Sequence, residues 1–208
     1  MRTLILGATG GIGGALARAL GGTGELWLAG RRREVLFPLA QEVGARALPL
    51  ELGDELEVQA LLEEVGPLDL LLYAVGGVVR RPLRETGRLE AEDLLLANFL
   101  GAFLVLKHAR FGQGARAAFL GAYPAYVEVP GFSLYAASKR ALEGLLNAAR
   151  KEFRREGVHL TLVRLPAVAT GLWTPLGGPP KGALSPEEAA RRILEGLKAE
   201  PPPEVLEL

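Results

Sequence analysis

The amino-acid sequence predicts an α/β fold in which helices cover both faces of a doubly wound parallel sheet of about seven strands. Short apolar runs alternate along the chain with longer segments of helical periodicity, the order expected of repeated βαβ units. The run Leu68–Val75 is apolar on both faces, as a strand in the middle of a parallel sheet must be. No repeat or low-complexity linker divides the chain, so residues 1–208 are predicted to form a single domain.

The individual elements follow from the same periodicity and from residues that start helices. Asp54 is a typical N-cap for the helix after it, and Pro186 suits the first turn of the last helix. Strands are predicted at Thr3–Leu6, Glu25–Ala29, Ala45–Leu50, Leu68–Val75, Arg116–Leu120, His159–Leu165 and Glu204–Leu208. Helices are predicted at Ile12–Leu20, Arg32–Val43, Glu55–Val65, Glu90–Ala109, Ser133–Glu156 and Pro186–Ala199.

The composition excludes several classes of function. The chain contains 24 Lys and Arg and 24 Asp and Glu residues, so it offers no general attraction for nucleic acid or an anionic membrane. It contains no Cys, and its two histidines, His108 and His159, are far apart in the sequence, so we expect no metal site. No stretch is apolar enough for a signal peptide or a membrane span, which predicts a soluble, cytoplasmic protein.

A glycine-rich loop between the first strand and the first helix predicts a dinucleotide site. Glycines allow a tight turn and close backbone approach, and a helix N-terminus offers free N–H groups to a diphosphate. The alternative is a plain glycine-rich turn, but the position directly after a buried N-terminal strand favours the nucleotide. The residues predicted to contact the cofactor here are Gly7, Thr9, Gly10, Gly11, Ile12 and Gly13. The fold is therefore expected to be of the Rossmann type.

The end of the second strand favours NADP(H) over NAD(H). An acidic residue at this point would bind the ribose hydroxyls of NAD, whereas the chain has Gly30 followed by three arginines. A guanidinium can neutralise a 2′-phosphate and bind it through two hydrogen bonds. Arg31 is the first candidate and Arg32 the second. The alternative is that the arginines only form the solvated start of the next helix, which leaves NAD(H) possible.

A tyrosine and a lysine four residues apart form a candidate catalytic pair. Tyr135 and Lys139 lie near the start of a predicted helix, and residues at this spacing share one helix face. A lysine ammonium beside a phenol favours the phenolate, so we expect Lys139 to lower the pKa of Tyr135 from its usual value of about 10. Tyr135 could then exchange protons near neutral pH. The pattern alone also fits a surface pair.

With these motifs the sequence resembles the short-chain dehydrogenase/reductase family over nearly its whole length. The glycine loop matches the family pattern at Gly7, Gly11 and Gly13, although Leu6 replaces the usual Thr. The resemblance implies that Asn98 joins Tyr135 and Lys139 in catalysis by holding a water that links the lysine to solvent. It also assigns to the cofactor the residues Glu51, Leu52, Ala74, Gly76, Tyr135, Lys139, Val168 and Thr170. The segment Tyr73–Gly76 keeps only the glycine of the family's Asn-Asn-Ala-Gly.

One departure from the family bears on activity. The catalytic serine that the resemblance leads us to expect is Ala122, which has no hydroxyl to bind a substrate carbonyl. Ser133, Tyr123 and Tyr126 are candidates to supply a hydroxyl instead. The sequence therefore predicts an oxidoreductase acting on a carbonyl or alcohol with NADP(H), and leaves a catalytically degenerate NADP(H)-binding sensor or interaction protein as the alternative.

Two further expectations concern what this protein contacts. The predicted helix Glu90–Ala109 is apolar almost all round, and the resemblance implies that it packs with Ser133–Glu156 against a partner subunit, giving a homo-dimer or homo-tetramer. The segment of about 170–185 carries Leu172, Trp173 and Leu176, which suits a small apolar lid over a small-molecule substrate.

Overall fold

The computed structural model describes residues 1–208 and contains one seven-stranded sheet, in which every neighbouring pair of strands is parallel. The strands are β1 (Arg2–Leu6), β2 (Glu25–Gly30), β3 (Arg46–Pro49), β4 (Leu68–Tyr73), β5 (Phe111–Leu120), β6 (His159–Arg164) and β7 (Val205–Glu207). Their order across the sheet is β3-β2-β1-β4-β5-β6-β7. The direction of winding reverses between β1 and β4, which confirms the predicted doubly wound Rossmann-type fold.

The helices cover both faces of this sheet. They are α1 (Gly11–Leu20), α2 (Arg33–Val43), α3 (Glu55–Val65), α4 (Arg88–Leu95), α5 (Gly101–His108), α6 (Pro124–Val127), α7 (Ser133–Arg155) and α8 (Pro186–Gly196). Short 3₁₀ helices occur at Leu83–Glu85 and Gly171–Leu176. Asp54 caps α3 as predicted, because its carboxylate accepts hydrogen bonds from the N–H groups of Leu56 and Glu57 at 2.9 and 3.2 Å.

Two hydrophobic clusters, one on each face of the sheet, form the core. Successive side chains of a strand point to opposite faces, so Leu4 and Leu6 of β1 join one cluster and Ile5 joins the other. Helices α3, α5 and α7 contribute to the first cluster, and α1, α2 and α8 to the second. This alternation explains why the central strands appear as continuous apolar runs in the sequence. No helix of the structure combines the length and apolarity that a membrane crossing requires.

The predicted helix Glu90–Ala109 is in fact interrupted. It begins at Arg88, and between α4 and α5 the backbone follows a π-helical segment, Leu96–Leu100. Local sequence pattern does not reveal this, because the segment is stabilised from outside the helix. The Tyr73 hydroxyl donates to the Ala97 carbonyl at 2.9 Å, and Gly101 leaves room for that phenol, since a Cβ there would lie 2.5 Å from its oxygen. π segments are frequent at functional sites.

Several predicted boundaries are also wrong. The strand β5 begins at Phe111 rather than Arg116. The prediction missed residues 111–115 because they contain Gly112 and Gly114 and show no alternation of apolar and polar residues. The strand β4 ends at Tyr73 rather than Val75, and α8 ends at Gly196 rather than Ala199. The other predicted ends match the observed ones, as both ends of α3 do, or differ by one or two residues, and the sequence pattern does not indicate α6.

Candidate active site

A cleft of about 870 Å³ opens at the carboxyl ends of the strands. It is bounded by the segments that follow the first six strands, β1 to β6, at the edge of the sheet where the fold class places a ligand. Its volume is in the upper part of the range of cofactor and small-molecule sites. Most predicted cofactor residues line it: Gly7, Thr9, Gly10, Gly11, Ile12, Arg31, Arg32, Glu51, Leu52, Ala74, Gly76, Tyr135, Lys139, Val168 and Thr170.

The glycine loop needs its glycines for steric reasons. Gly7 has a φ of +78°, and a Cβ there would lie 2.8 Å from the backbone of Ala74. A Cβ at Gly13 would lie 2.2 Å from the Gly7 carbonyl oxygen. The lack of a side chain at Gly13 thus allows α1 to start directly behind the loop. Gly13 itself does not line the cleft, contrary to the prediction. Ala74 also donates to the Leu6 carbonyl at 2.9 Å, so β4 supports the loop although the family's two asparagines are missing.

The N-terminus of α1 presents unpaired donors to the cleft. No side chain caps this helix at Gly10. The first N–H group with a helical partner belongs to Gly14, which donates to the Gly10 carbonyl at 2.8 Å. The N–H groups of Gly11, Ile12 and Gly13 thus have no partner within the helix. Asp54 caps α3 and Ser185 caps α8, while α2, α4 and α7 lack a side-chain cap as α1 does. Such an uncapped N-terminus at a ligand cleft suits an anionic group such as a diphosphate.

The two candidate phosphate-binding arginines behave differently. Arg32 donates to the carbonyl of Thr9 and so braces the glycine loop. Arg31 lines the cleft and forms no hydrogen bond or ion pair with the protein. A Cβ at Gly30 would lie only 3.0 Å from the Thr9 methyl group, so an acidic side chain at that position would require the Thr9 side chain to shift. Between the two, Arg31 has the free guanidinium.

Tyr135 and Lys139 lie together in the cleft on the first two turns of α7. The Lys139 ammonium is 5.8 Å from the centre of the Tyr135 ring and donates to the Leu120 carbonyl at 3.0 Å. Burial raises the pKa of the Tyr135 phenol to about 12 and lowers the pKa of Lys139 to about 8. The predicted lowering of the Tyr135 pKa by Lys139 is therefore not found. The phenol is protonated at neutral pH, which is the form that a proton donor needs.

Asn98 lies behind the cleft rather than in its lining. Its side chain is fully buried and is held by three hydrogen bonds. The Oδ1 atom accepts from the N–H of Gly77 at 2.9 Å, while Nδ2 donates to the Gly77 carbonyl at 3.1 Å and to Ser138 Oγ at 2.9 Å. Ser138 in turn donates to the Tyr135 carbonyl at 2.7 Å. This network connects the π-helical segment, the loop after β4 and the start of α7.

The cleft contains no hydroxyl in place of the missing serine. Ala122 lines the cleft beside Tyr135, as its position at the end of β5 predicts. None of the three candidate substitutes lines it. The Tyr123 hydroxyl donates to the Leu208 carbonyl at 3.1 Å, while Ser133 and Tyr126 are exposed on the surface. The side-chain hydroxyls of the cleft belong to Thr9, Tyr135 and Thr170.

The sequence pattern missed part of the site. Ser138 and Tyr73 act through contacts between elements distant in the chain, so no local signal could reveal their partners. The remaining missed residues supply mainly apolar surface, and strand ends at the carboxyl edge would have been the signal for several of them. Examples are Val75, Leu120, Leu165 and Pro166. The predicted lid is present in part, since Leu172 and Trp173 line the cleft and Leu176 does not.

Comparison with known proteins places this architecture in a family. A model of the short chain dehydrogenase family matches residues 2–178. A crystal structure of a Thermus thermophilus protein described as a short-chain oxidoreductase is 68% identical, with a TM-score of 0.91 over 95% of this chain and 96% of that one. This chain therefore belongs to the short-chain dehydrogenase/reductase family, which is a family of oxidoreductases.

Two other similar proteins have names that state an activity or a bound cofactor. A fatty acyl-CoA reductase of Mycobacterium tuberculosis is 29% identical over 220 aligned residues, which span 96% of this chain and 74% of that protein. A short chain dehydrogenase of Burkholderia cenocepacia J2315, solved in complex with NADP, has a TM-score of 0.82. Its identity is 21% over all of this chain and 95% of that one, so it shows a shared fold.

Proposed function

We propose that this protein is an NADP(H)-dependent oxidoreductase that transfers a hydride between the cofactor and a small carbonyl or alcohol substrate. One observation carries the proposal: Tyr135 and Lys139 line the same cleft as the uncapped N-terminus of α1 and the unpaired Arg31. A proton donor and a site for a phosphorylated nucleotide are therefore adjacent. The names of the similar proteins, a reductase and an NADP complex among them, support the same reaction class.

The residues of the cleft fit a dinucleotide. The free N–H groups at the start of α1 would hold the diphosphate, and Arg31 would hold a 2′-phosphate. Glu51 and Leu52 would lie near the adenine, while the remaining predicted contacts would lie towards the nicotinamide: Ala74, Gly76, Tyr135, Lys139, Val168 and Thr170. When bound, the cofactor supplies the hydride.

The chain's own residues would supply the proton and the positioning. Tyr135, protonated at neutral pH, would donate its proton to the carbonyl oxygen during reduction. Lys139, whose pKa of about 8 leaves it largely charged at pH 7, would stabilise the phenolate that remains. Asn98 would support proton return to this pair by fixing the loop after β4 and, through Ser138, the first turn of α7.

A turnover assay tests the proposal directly. Consumption of NADPH is measured with a panel of simple aldehydes and diketones, and NADPH binding is measured separately by calorimetry. Turnover of any member supports the oxidoreductase. The alternative is an NADP(H)-binding sensor or interaction protein, which is favoured by Ala122 and the lack of a substitute hydroxyl. Tight binding of NADPH without turnover of any carbonyl would support that alternative.

Replacing Arg31 with alanine is expected to weaken NADPH binding roughly 10- to 100-fold, because a charge-assisted hydrogen bond to the 2′-phosphate is lost. NADH has no such phosphate, so its dissociation constant should change less than about twofold. Arg33→Ala is the matched control, since Arg33 belongs to the same run but does not line the cleft. Equal weakening of both cofactors would remove Arg31 from the role.

We also propose a homo-oligomer formed through the exposed apolar side chains near α5. Leu100 and Phe103 are 43% and 41% exposed, whereas Val105 and Leu106 pack in the chain's own core. Sedimentation equilibrium at micromolar concentration should show a dimer or tetramer, and Phe103→Asp should yield a monomer because it buries a charge in the contact. Leu56→Asp on α3, where Leu56 is 75% exposed, is the control. A wild-type monomer would contradict the proposal.

A further inference from the structure

An arginine with no part in the proposed cofactor site packs on Phe132, whose ring contacts that of Tyr135. Arg80 belongs to the loop after β4, and its guanidinium carbon is 5.6 Å from the centre of the Phe132 ring. The two are held together by their backbones, since the N–H of Arg81 donates to the Gly131 carbonyl at 2.8 Å. Gly131 has a φ of +87°, and a Cβ there would lie 3.3 Å from Arg80 Cγ. The arginine is thus seated on a defined platform.

The charge of Arg80 is not neutralised by the protein. Arg80 is exposed and forms no hydrogen bond or ion pair, whereas Arg81 pairs with Glu90 at 3.6 Å and Arg88 with Glu92 at 2.7 Å on the same side of the molecule. Stacking on an aromatic ring holds the planar guanidinium without occupying its N–H groups. The five donors of Arg80 therefore remain available to an anionic group of a ligand.

The aromatic platform also connects this charge to the reacting groups. The rings of Phe132 and Tyr135 are 5.8 Å apart. Neither Arg80 nor Phe132 is part of the cleft lining, and the guanidinium carbon is no farther from the centre of the Tyr135 ring than these two distances taken together. The Tyr135 end of the cleft offers few other polar groups, because Ala122 has no hydroxyl and the Trp173 indole donates to the Val168 carbonyl at 2.8 Å.

We infer that Arg80 is a specificity-determining residue that binds an anionic group of the substrate, a carboxylate or a phosphate, and so holds the carbonyl at Tyr135. The inference rests on the proposed function and names its substrate class: carbonyl compounds that carry a negative charge away from the reacting carbon. Binding energy from a remote group is an effective way to orient a reacting centre. Such a contact would take over orientation that a serine hydroxyl at position 122 would otherwise provide.

The test compares 4-formylbenzoate with its methyl ester, which have the same aldehyde but differ in charge. The wild-type protein with NADPH should reduce the acid with a kcat/KM at least about tenfold above that of the ester, the effect of one charge-assisted hydrogen bond. Arg80→Ala should lower kcat/KM for the acid roughly 10- to 100-fold, because that bond is lost, and should change the ester less than about twofold. Arg80→Lys should retain part of the preference, since it keeps the charge.

Arg84→Ala is the matched control, because Arg84 follows in the same loop, has no ion pair and stacks on no ring. This variant should leave kcat/KM unchanged for both substrates. If Arg80→Ala lowers kcat/KM equally for the acid and the ester, the role of the arginine is to stabilise the loop, and the inference is overturned. It is also overturned if the variant has no effect on either substrate.

A binding measurement separates this inference from the proposed function. Calorimetry of 4-formylbenzoate added to the protein with NADP+, which cannot reduce the aldehyde, measures binding without turnover. Binding that weakens roughly 10- to 100-fold in Arg80→Ala supports the anion site even if no carbonyl is reduced, in which case the oxidoreductase proposal alone fails. Binding that is absent from the wild-type protein, or equal in the two proteins, overturns the inference whether or not turnover occurs.

Discussion

Tyr135→Phe is expected to lower kcat for carbonyl reduction by about 10²- to 10⁴-fold, the usual contribution of a positioned proton donor. The substitution removes only the phenolic hydroxyl, so the ring contact with Phe132 and the cofactor residues of the cleft remain. The dissociation constant of NADPH should therefore change less than about twofold. Steady-state kinetics, together with NADPH titration of the variant, measures both quantities.

Tyr126→Phe is the control for this prediction, because Tyr126 is 63% exposed and does not line the cleft. It should keep the wild-type rate. Turnover that survives Tyr135→Phe would show that the Tyr–Lys mechanism is wrong for this protein. A variant that loses NADPH binding as well would indicate damage to the cleft, which thermal unfolding of the same sample would detect.

Ala122→Ser is expected to raise kcat by up to about 10²-fold, with a smaller effect on KM. Removal of one donor to a developing oxyanion typically costs about 10²- to 10³-fold, and the cleft has no other hydroxyl in the position of this one. A hydrogen bond to developing negative charge strengthens in the transition state, so the gain should be found in kcat. Kinetics with the best substrate of the carbonyl panel measures it.

Ala125→Ser is the control, since Ala125 is exposed on α6 and lies outside the cleft. Tyr135→Phe in the Ala122→Ser background should again lower kcat by about 10²- to 10⁴-fold. If the serine variant is no faster while the wild-type enzyme is active, carbonyl orientation does not depend on position 122, as the Arg80 contact would explain. If no variant turns over any carbonyl while NADPH binds, the non-enzymatic alternative replaces the proposed function.

The sequence by itself determined the fold class and the residues at the base of the cleft. Alternating apolar runs predicted the parallel sheet because strands buried on both faces must be apolar throughout, as Leu68–Tyr73 is. The glycine loop and the pair Tyr135 and Lys139 could be predicted for a related reason. Their geometry is set within one turn or one helix, so spacing along the chain is enough to specify it.

Only the tertiary structure decided the features that depend on contacts between distant segments. The π-helical turn at Asn98 is stabilised by Tyr73 from β4, and its side-chain network needs Ser138 from α7. Burial by several elements together raises the pKa of Tyr135 to about 12, although the sequence pattern alone predicted a lowered value. The platform of Arg80 on Phe132 likewise joins two loops. Packing and desolvation depend on what folds nearby rather than on what is adjacent in sequence, which is why spacing could not reveal them.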